Sequence, residues 1–124
     1  MATTATAATR ESAMAALAIA NHVRVTNART LRELKDYPYA EGMAIVADML
    51  RHADLSGPCG SIPTIRLLHA VRGLGETKVE DLLHTAEILR ARLPLRRLSN
   101  RQRNLLANAL EAASDYSLYR RGVR

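Results

Sequence analysis

The apolar residues of this chain are mainly alanine, leucine, valine and isoleucine, accompanied by four tyrosines and by neither phenylalanine nor tryptophan. Alanine and leucine stand at the top of the helix-propensity scale, so stretches rich in them favour helices. The chain has 124 residues, enough for one core when domains typically contain ~100 to 200 residues. We therefore predict an all-α single domain with five to six helices.

The spacing of apolar residues and the positions of helix-starting and helix-breaking residues divide the first half of the chain into a tail and three predicted helices. Residues 1–9 contain only Met, Ala and Thr, and we predict a disordered tail over residues 1–10. The N-terminal helices then occupy residues 11–61. A first helix runs to about Ala28, the capping-box pattern from Thr30 to Glu33 starts a short second helix before Pro38, and a third helix covers residues 40–52.

Glycine and proline mark the turns of the second half. After a loop at residues 56–60, Pro63 opens a fourth helix that reaches about Arg72. The Gly73-Leu74-Gly75 sequence interrupts it, and apolar spacing resumes at about Glu76 and continues to Leu89. Ser99 is the predicted N-cap of a last long helix. Residues 115–124 are predicted to form a frayed basic C-terminal tail.

The positive charge is concentrated in the second half of the chain. Lys and Arg number 18 against 12 Asp and Glu, a net charge of +6, and 16 of the 18 bases are arginine. Residues 1–61 hold six bases and six acids, whereas residues 62–124 hold twelve bases and six acids. Because guanidinium groups bond oxyanions in bidentate fashion, we expect a phosphate or carboxylate partner on the second half.

Two local patterns carry this expectation. Gly73 and Gly75 permit positive φ angles, let Leu74 fill the core and bring backbone amides and a helix start close to an anion, although they also suit a plain helix-to-helix turn. The second pattern is a run of six arginines in fourteen residues without an acid, between Arg90 and Arg103. A solvated charge run is the alternative, but solvated faces usually mix both signs. We expect the two patterns to share one positive face.

The residues from Leu67 to Val79, followed by an apolar helix and by Arg96-Arg97-Leu98-Ser99 with Gln102, resemble the helix-two-turns-helix module. This module occurs in a small-subunit ribosomal protein, in formamidopyrimidine-type DNA glycosylases and in the actinobacterial (mycobacterial-type) integration host factor. The polar helices before the hairpin make the chain most similar to the integration host factor. The sequence departs from that pattern at Glu76, where a base is usual, and at residues 86–88, where a glycine is usual.

The resemblance implies a nucleoid-associated protein that binds double-stranded DNA through its phosphate backbone and supports compaction, bending or site-specific recombination. Residues 62–114 would form the nucleic-acid-binding module, in the cytoplasm and on the nucleoid, with a recombinase or integrase as a further partner. The residues expected to contact DNA are Arg72, Gly73, Gly75, Thr77, Lys78, Arg92, Arg96, Arg97, Ser99, Asn100, Arg101 and Arg103.

Other classes of function are less well supported. The glycosylases with this module place their nucleophile in another domain, for which this chain lacks the length, so we expect no enzyme activity and no cofactor. The lone Cys59 and the scattered histidines lack metal-ligand spacing, and no apolar run reaches the ~20 residues that span a membrane. Two alternatives stay open: binding of structured RNA, as in the ribosomal protein, and a protein-interaction adaptor in a viral or recombination assembly.

Overall fold

The structure is a computed structural model that describes the backbone of residues 2–120 and the side chains of residues 9–120. Within this range the chain is all-helical, as predicted, and its five α-helices agree with the predicted number. The helices are α1 (Ala2–Leu34), α2 (Tyr39–His52), α3 (Thr64–His69), α4 (Glu76–Thr85) and α5 (Asn100–Arg120). Two 3₁₀ helices, Pro58–Ser61 and Leu95–Arg97, lie in the connections.

Helix α1 is longer than the sequence predicted at both ends. Residues 2–10 belong to α1 rather than to a disordered tail, and Met1 lies outside the described residues. Residues 2–34 contain neither glycine nor proline, so nothing breaks the helix that the alanines favour. Its residues 9–22 are exposed on all sides, and only the C-terminal part, which includes the buried Leu34, packs on the rest of the chain.

The predicted helix start at Thr30 is also wrong, because Thr30 lies inside α1. Its hydroxyl donates a hydrogen bond to the carbonyl of Thr26 at 3.1 Å instead of capping a new helix. Inside a helix, a threonine hydroxyl can donate to the carbonyl four residues before it. The helix ends where Lys35, Asp36 and Tyr37 donate backbone bonds three residues back, and Pro38 then starts α2.

Helices α2 and α5 form the centre of the core. The buried face of α2 consists of Met43, Val46, Ala47 and Leu50, at helical spacing. It packs against Leu106, Ala107 and Leu110 of α5. The hydroxyl of the buried Ser114 donates to the carbonyl of Ala40 at 2.7 Å, so the polar group at this interface is satisfied. Because α2 and α5 come from different halves of the sequence, residues 11–61 and 62–114 share one core.

The connection from α2 to α3 is a tight loop that includes the predicted turn. The Asp54 carboxylate accepts hydrogen bonds from the amide and hydroxyl of Ser56 at 3.0 and 2.6 Å, and these bonds lower the pKa of Asp54. Gly60 is buried, and a Cβ at this position would lie 1.8 Å from the carbonyl oxygen of Leu55. Only glycine therefore fits at residue 60.

Helices α3, α4 and α5 follow the predicted order, with α3 and α4 shorter than predicted and α5 longer. Helix α3 begins after Pro63 and ends at His69 rather than Arg72, and α4 ends at Thr85 rather than Leu89. Helix α5 continues to Arg120, so the predicted frayed tail is helical over residues 115–120, and residues 121–124 lie outside the described residues. Among the described helices, none combines the length and apolar character that a membrane crossing requires.

Candidate nucleic-acid interface

The glycine hairpin connects α3 to α4, and of its two glycines only Gly73 has the positive φ that the pattern suggested, since Gly75 is extended with a φ of −78°. Gly73 has a φ of +84°, a left-handed conformation that a residue with a Cβ adopts only at a cost. A Cβ there would also lie 3.2 Å from the Tyr39 ring. Leu74 is only 5% exposed, so it fills the core as predicted. Gly75 precedes α4, and no side chain caps the first turn of that helix.

A depression on the surface of this hairpin gathers side chains from three parts of the chain. It is lined by the exposed Arg72, by Gly73 and Gly75, and also by Lys35 and His69. Lys35 follows the end of α1 and His69 is the last residue of α3, so neither belongs to the hairpin pattern. Sequence reasoning missed both residues: Lys35 reaches the depression only through the tertiary fold, whereas His69 is four positions before Gly73 and was within reach of a local pattern.

The remaining predicted hairpin residues have different surroundings. Thr77 is exposed in the first turn of α4. The Nζ of Lys78 lies 4.9 Å from the centroid of the Tyr39 ring, within the range of a cation–π contact. The exposed Glu76 stands in the same turn. Its carboxylate opposes an anion at this end of α4, so the hairpin alone is a weak phosphate site.

The second turn begins with a Schellman motif at the end of α4. The amide of Ile88 donates to the carbonyl of Leu83 at 2.9 Å, and the amide of Glu87 donates to the carbonyl of His84 at 3.0 Å. Glu87 has a φ of 59° and is the one residue other than glycine with a positive φ in the described chain. Glycine is the usual residue at this position of the motif.

Backbone hydrogen bonds fix the segment that follows, which consists of residues 89–97. The amides of Ile65 and Thr64 donate to the carbonyls of Ala91 and Leu93 at 2.8 and 2.9 Å, and the amide of Leu95 donates to the carbonyl of Ile62 at 3.0 Å. Leu95 is fully buried. The segment is therefore held to the start of α3 at three consecutive points, and its exposed side chains project from a fixed backbone.

Four exposed arginines project from this segment without an acidic partner. The ion pairs in the described part of the chain are Arg51–Glu111, His52–Asp48 and Arg101–Glu87, and no arginine of the segment takes part in them. We call these four residues the free arginines. They are Arg90, Arg92, Arg96 and Arg97.

Ser99 caps α5 as predicted. The amide of Gln102 donates to the Ser99 hydroxyl at 3.1 Å, and the amide of Ser99 donates to the Gln102 side-chain oxygen at 3.0 Å. This reciprocal pair is a capping box. The Gln102 side chain also donates to the Glu87 carbonyl at 3.1 Å, which ties the start of α5 to the end of α4.

Three other predicted contact residues are engaged within the protein. The Arg101 guanidinium bonds the Glu87 carboxylate, with an Nη2–Oε2 distance of 2.6 Å. The Arg103 guanidinium donates to the side-chain oxygen of Asn100. Sequence alone did not separate Arg101 from the free arginines, because Glu87 is fourteen positions away and reaches it only after α4 and α5 pack together. The Arg103–Asn100 contact is local, three positions apart.

The hairpin and the free arginines lie at opposite ends of α4. The hairpin precedes Glu76 and the second turn follows Thr85, with α4 of ten residues between them, a length of ~15 Å at 1.5 Å per residue. They therefore form two separate cationic clusters rather than one anion pocket. Duplex DNA carries one negative charge per about 1.7 Å of its axis, so different phosphates of one duplex can meet the two clusters.

Cys59 lies beside the free arginines, in the 3₁₀ helix Pro58–Ser61. Partial burial raises the pKa of its thiol, and the nearby charge of Arg96 opposes the shift. Its Sγ donates to the carbonyl of Asp54 at 3.4 Å. Across the part of the chain that the structure describes, no group of three or more His, Cys, Asp or Glu side chains has the arrangement of a metal site.

Comparison of the chain with protein-family models, with curated proteins and with solved structures finds no match. These comparisons add no support to the resemblance with the integration host factor. Any assignment of function therefore depends on the geometry and charge of the two clusters.

Proposed function

We propose that this chain binds duplex DNA through the phosphate backbone and acts as an architectural protein of the nucleoid. In this role it would support DNA compaction, bending or site-specific recombination beside a recombinase or integrase. The observation that carries the proposal is the group of free arginines, which no carboxylate among residues 9–120 neutralises. Guanidinium groups bond phosphate oxygens in bidentate, charge-assisted fashion.

The local charge supports a polyanion as the ligand. From Ile88 to Leu110 the chain has six arginines and no acid. Of the six, Arg101 pairs with Glu87, and the other five form no ion pair in the described chain. Such a concentration of positive charge costs stability in the free protein through mutual repulsion. A neighbouring row of phosphates removes that cost and releases condensed counterions.

The rigidity of the segment supports binding to the DNA backbone. Because residues 91–95 are hydrogen-bonded to the start of α3, the free arginines lose little backbone entropy when they contact a ligand. Contacts to phosphate carry no sequence information of their own. We therefore propose that affinity depends on salt far more than on base sequence.

The second cluster and the Schellman motif add support. Arg72, Lys35 and His69 around the glycine hairpin offer a further phosphate contact ~15 Å away, one α4 length along the surface. The module that the sequence resembles usually has a glycine near residues 86–88. Glu87 has the left-handed backbone conformation that glycine favours. The second turn therefore has the backbone conformation expected for a glycine, although the residue is a glutamate.

The test is a fluorescence-anisotropy titration of labelled random-sequence duplex at several salt concentrations. If the free arginines and Arg72 each neutralise one phosphate, log K should fall against log salt with a slope of about −4.5. An Arg96→Ala/Arg97→Ala variant should change the slope to about −2.7, since two contacts are lost. The matched control is Arg24→Ala/Arg29→Ala on α1, which removes the same charge and should leave the slope near the parent value.

Several outcomes would overturn the proposal. Equal slopes for the two double variants would mean that only net charge matters. A strong preference for one duplex among shuffled sequences would indicate readout of base edges. Displacement of the duplex by an equimolar RNA hairpin would favour structured RNA as the ligand, and failure to bind either nucleic acid at low salt would favour the protein-interaction adaptor.

A further inference from the structure

An open cleft lies between α4 and the second half of α5. The start of α5 is bonded to Glu87 at the end of α4, and Arg120 at the end of α5 lines the same cleft as Lys78 near the start of α4, so the two helices run antiparallel. The cleft has a volume of about 870 Å³. Its floor is apolar and includes Leu74, Leu82, Ala109 and Ala113. Binding pockets for small molecules typically measure ~300 to 1,000 Å³ and have mainly apolar linings.

The cleft exists because α5 presents small side chains to α4. Ala109, Ala112 and Ala113 lie three and four positions apart, so they share one face of α5. The facing residues of α4 include Leu82 and Thr85. Methyl groups on one wall cannot reach across to the other wall, and the space between them stays open.

Two cations stand on the rim of the cleft, each over an aromatic ring. Lys78 lies over Tyr39, and the Arg120 Cζ lies 6.0 Å from the centroid of the Tyr116 ring. Asp81 is the one acidic side chain in the lining, and none of the ion pairs in the described chain involves these cations. The rim therefore has an excess of positive charge held in place by ring contacts, and both cations are available to an anion.

We propose that this cleft binds an anionic amphiphile, a free unbranched acyl chain that ends in a carboxylate. The chain would lie on the alanines of α5, and the carboxylate would bond Lys78 and Arg120 between the two tyrosine rings. The lining residues run from Lys78 to Thr85 on α4 and from Ala109 to Arg120 on α5, so the cleft is ~10 to 16 Å long at 1.5 Å per residue, which accommodates an extended chain of about ten to twelve carbons. A hydrated phosphodiester would leave the apolar floor uncovered, so this site is distinct from the free arginines, and it shares only Lys78 with the residues that the sequence predicts to contact DNA.

The experiment titrates the full chain with monomeric dodecanoate by isothermal calorimetry. One site should saturate, and decanoate should bind about fifteenfold more weakly, because each methylene moved out of water contributes about fourfold. Dodecyltrimethylammonium, with the same chain and the opposite charge, should not bind. In a parallel NMR titration, the methyl signals of Ala109, Ala112 and Ala113 should shift before any others.

Two variants with matched controls locate the site. Ala112→Leu fills the cleft from an exposed position and should abolish binding, whereas Ala44→Leu, the same change at an exposed position of α2, should not. Lys78→Met should weaken binding about tenfold, and Lys35→Met should have no effect. Circular dichroism checks the fold of each variant, and the NMR shifts of the parent chain test the site without any variant.

The following results would overturn the proposal. Dodecanoate that fails to bind, that binds equally to Ala112→Leu, or that shifts methyl groups away from α5 would exclude this cleft as its site. Equal affinity for the cationic amphiphile would exclude the role of Lys78 and Arg120. Sedimentation with anionic phospholipid vesicles without binding of the free acid would indicate adsorption to a lipid surface instead.

Discussion

Replacement of Glu87 tests how the second turn is held in place. Glu87 has a left-handed backbone with a φ of 59°, and it is the residue after the C-cap Ala86 of α4. We expect Glu87→Gly to unfold at higher denaturant concentration than Glu87→Ala. Both variants lose the carboxylate, so the comparison isolates the backbone conformation from the ion pair with Arg101.

The magnitude follows from the contacts of this residue. In the folded state, the left-handed conformation destabilises alanine relative to glycine by ~1 to 2 kcal/mol. In the unfolded state, glycine has more conformational freedom than alanine, which reduces the advantage of the glycine variant by ~0.5 to 1 kcal/mol. Glu87→Gly should therefore exceed Glu87→Ala in stability by about 1 kcal/mol. The Arg101 pair is exposed, so its loss should cost each variant only about 0.5 kcal/mol. The main-chain bonds of Glu87 to His84 and Gln102 survive both changes.

The assay is urea unfolding of the parent chain and both variants, followed by circular dichroism and evaluated at a common m-value. The variants Arg101→Ala and Arg101→Ala/Glu87→Ala complete a double-mutant cycle with Glu87→Ala and so measure the ion pair separately. If Glu87→Ala proved equal to or more stable than Glu87→Gly, the left-handed conformation would not limit the stability of the second turn. The Schellman motif would then not be what determines the backbone path of the segment that carries the free arginines.

Three further predictions concern single positions. Gly60→Ala should destabilise the chain by roughly 1 to 3 kcal/mol in urea unfolding, because its Cβ meets the backbone of Leu55; a neutral effect would contradict the tight loop. Ser99→Ala should cost about 1 kcal/mol through loss of the α5 cap, and Ser99→Asp, which can also cap, serves as its control. The raised pKa of Cys59 lowers the thiolate fraction at neutral pH, so alkylation by iodoacetamide should be slow at pH 7 and accelerate as pH rises past the ordinary thiol pKa. Arg96→Ala should slow alkylation further, and a faster rate would mean that Arg96 does not act on the thiol.

The two cationic clusters differ in the side chains that are available to a ligand. The free arginines form no ion pair with a carboxylate among the described residues. At the hairpin, Glu76 competes with phosphate, and Lys35 and His69 contribute instead. We therefore expect the second turn to carry most of the affinity for a polyanion and the hairpin to add orientation. The contrast depends on which acids the fold brings near each cluster rather than on the number of bases.

The sequence by itself determined the features that depend on neighbouring residues. Helix propensity predicted the all-α class, and the glycine pair predicted a turn with Leu74 in the core. The pattern from Ser99 to Gln102 placed the start of α5 correctly. The uneven charge located the basic half. Each of these involves groups within a few positions of one another, so their free energies are largely decided before the chain packs.

Only the tertiary structure decided which arginines are free and how far apart the clusters lie. Arg101 meets Glu87 because α4 and α5 are antiparallel, and Lys35 reaches the hairpin because the end of α1 packs beside it. The start of a helix at Thr30 failed for a related reason: its pattern fits both a helix start and a helix interior, and the unbroken helix was the more stable choice. Contacts between residues distant in sequence arise from burial of shared apolar surface, which a local pattern does not encode.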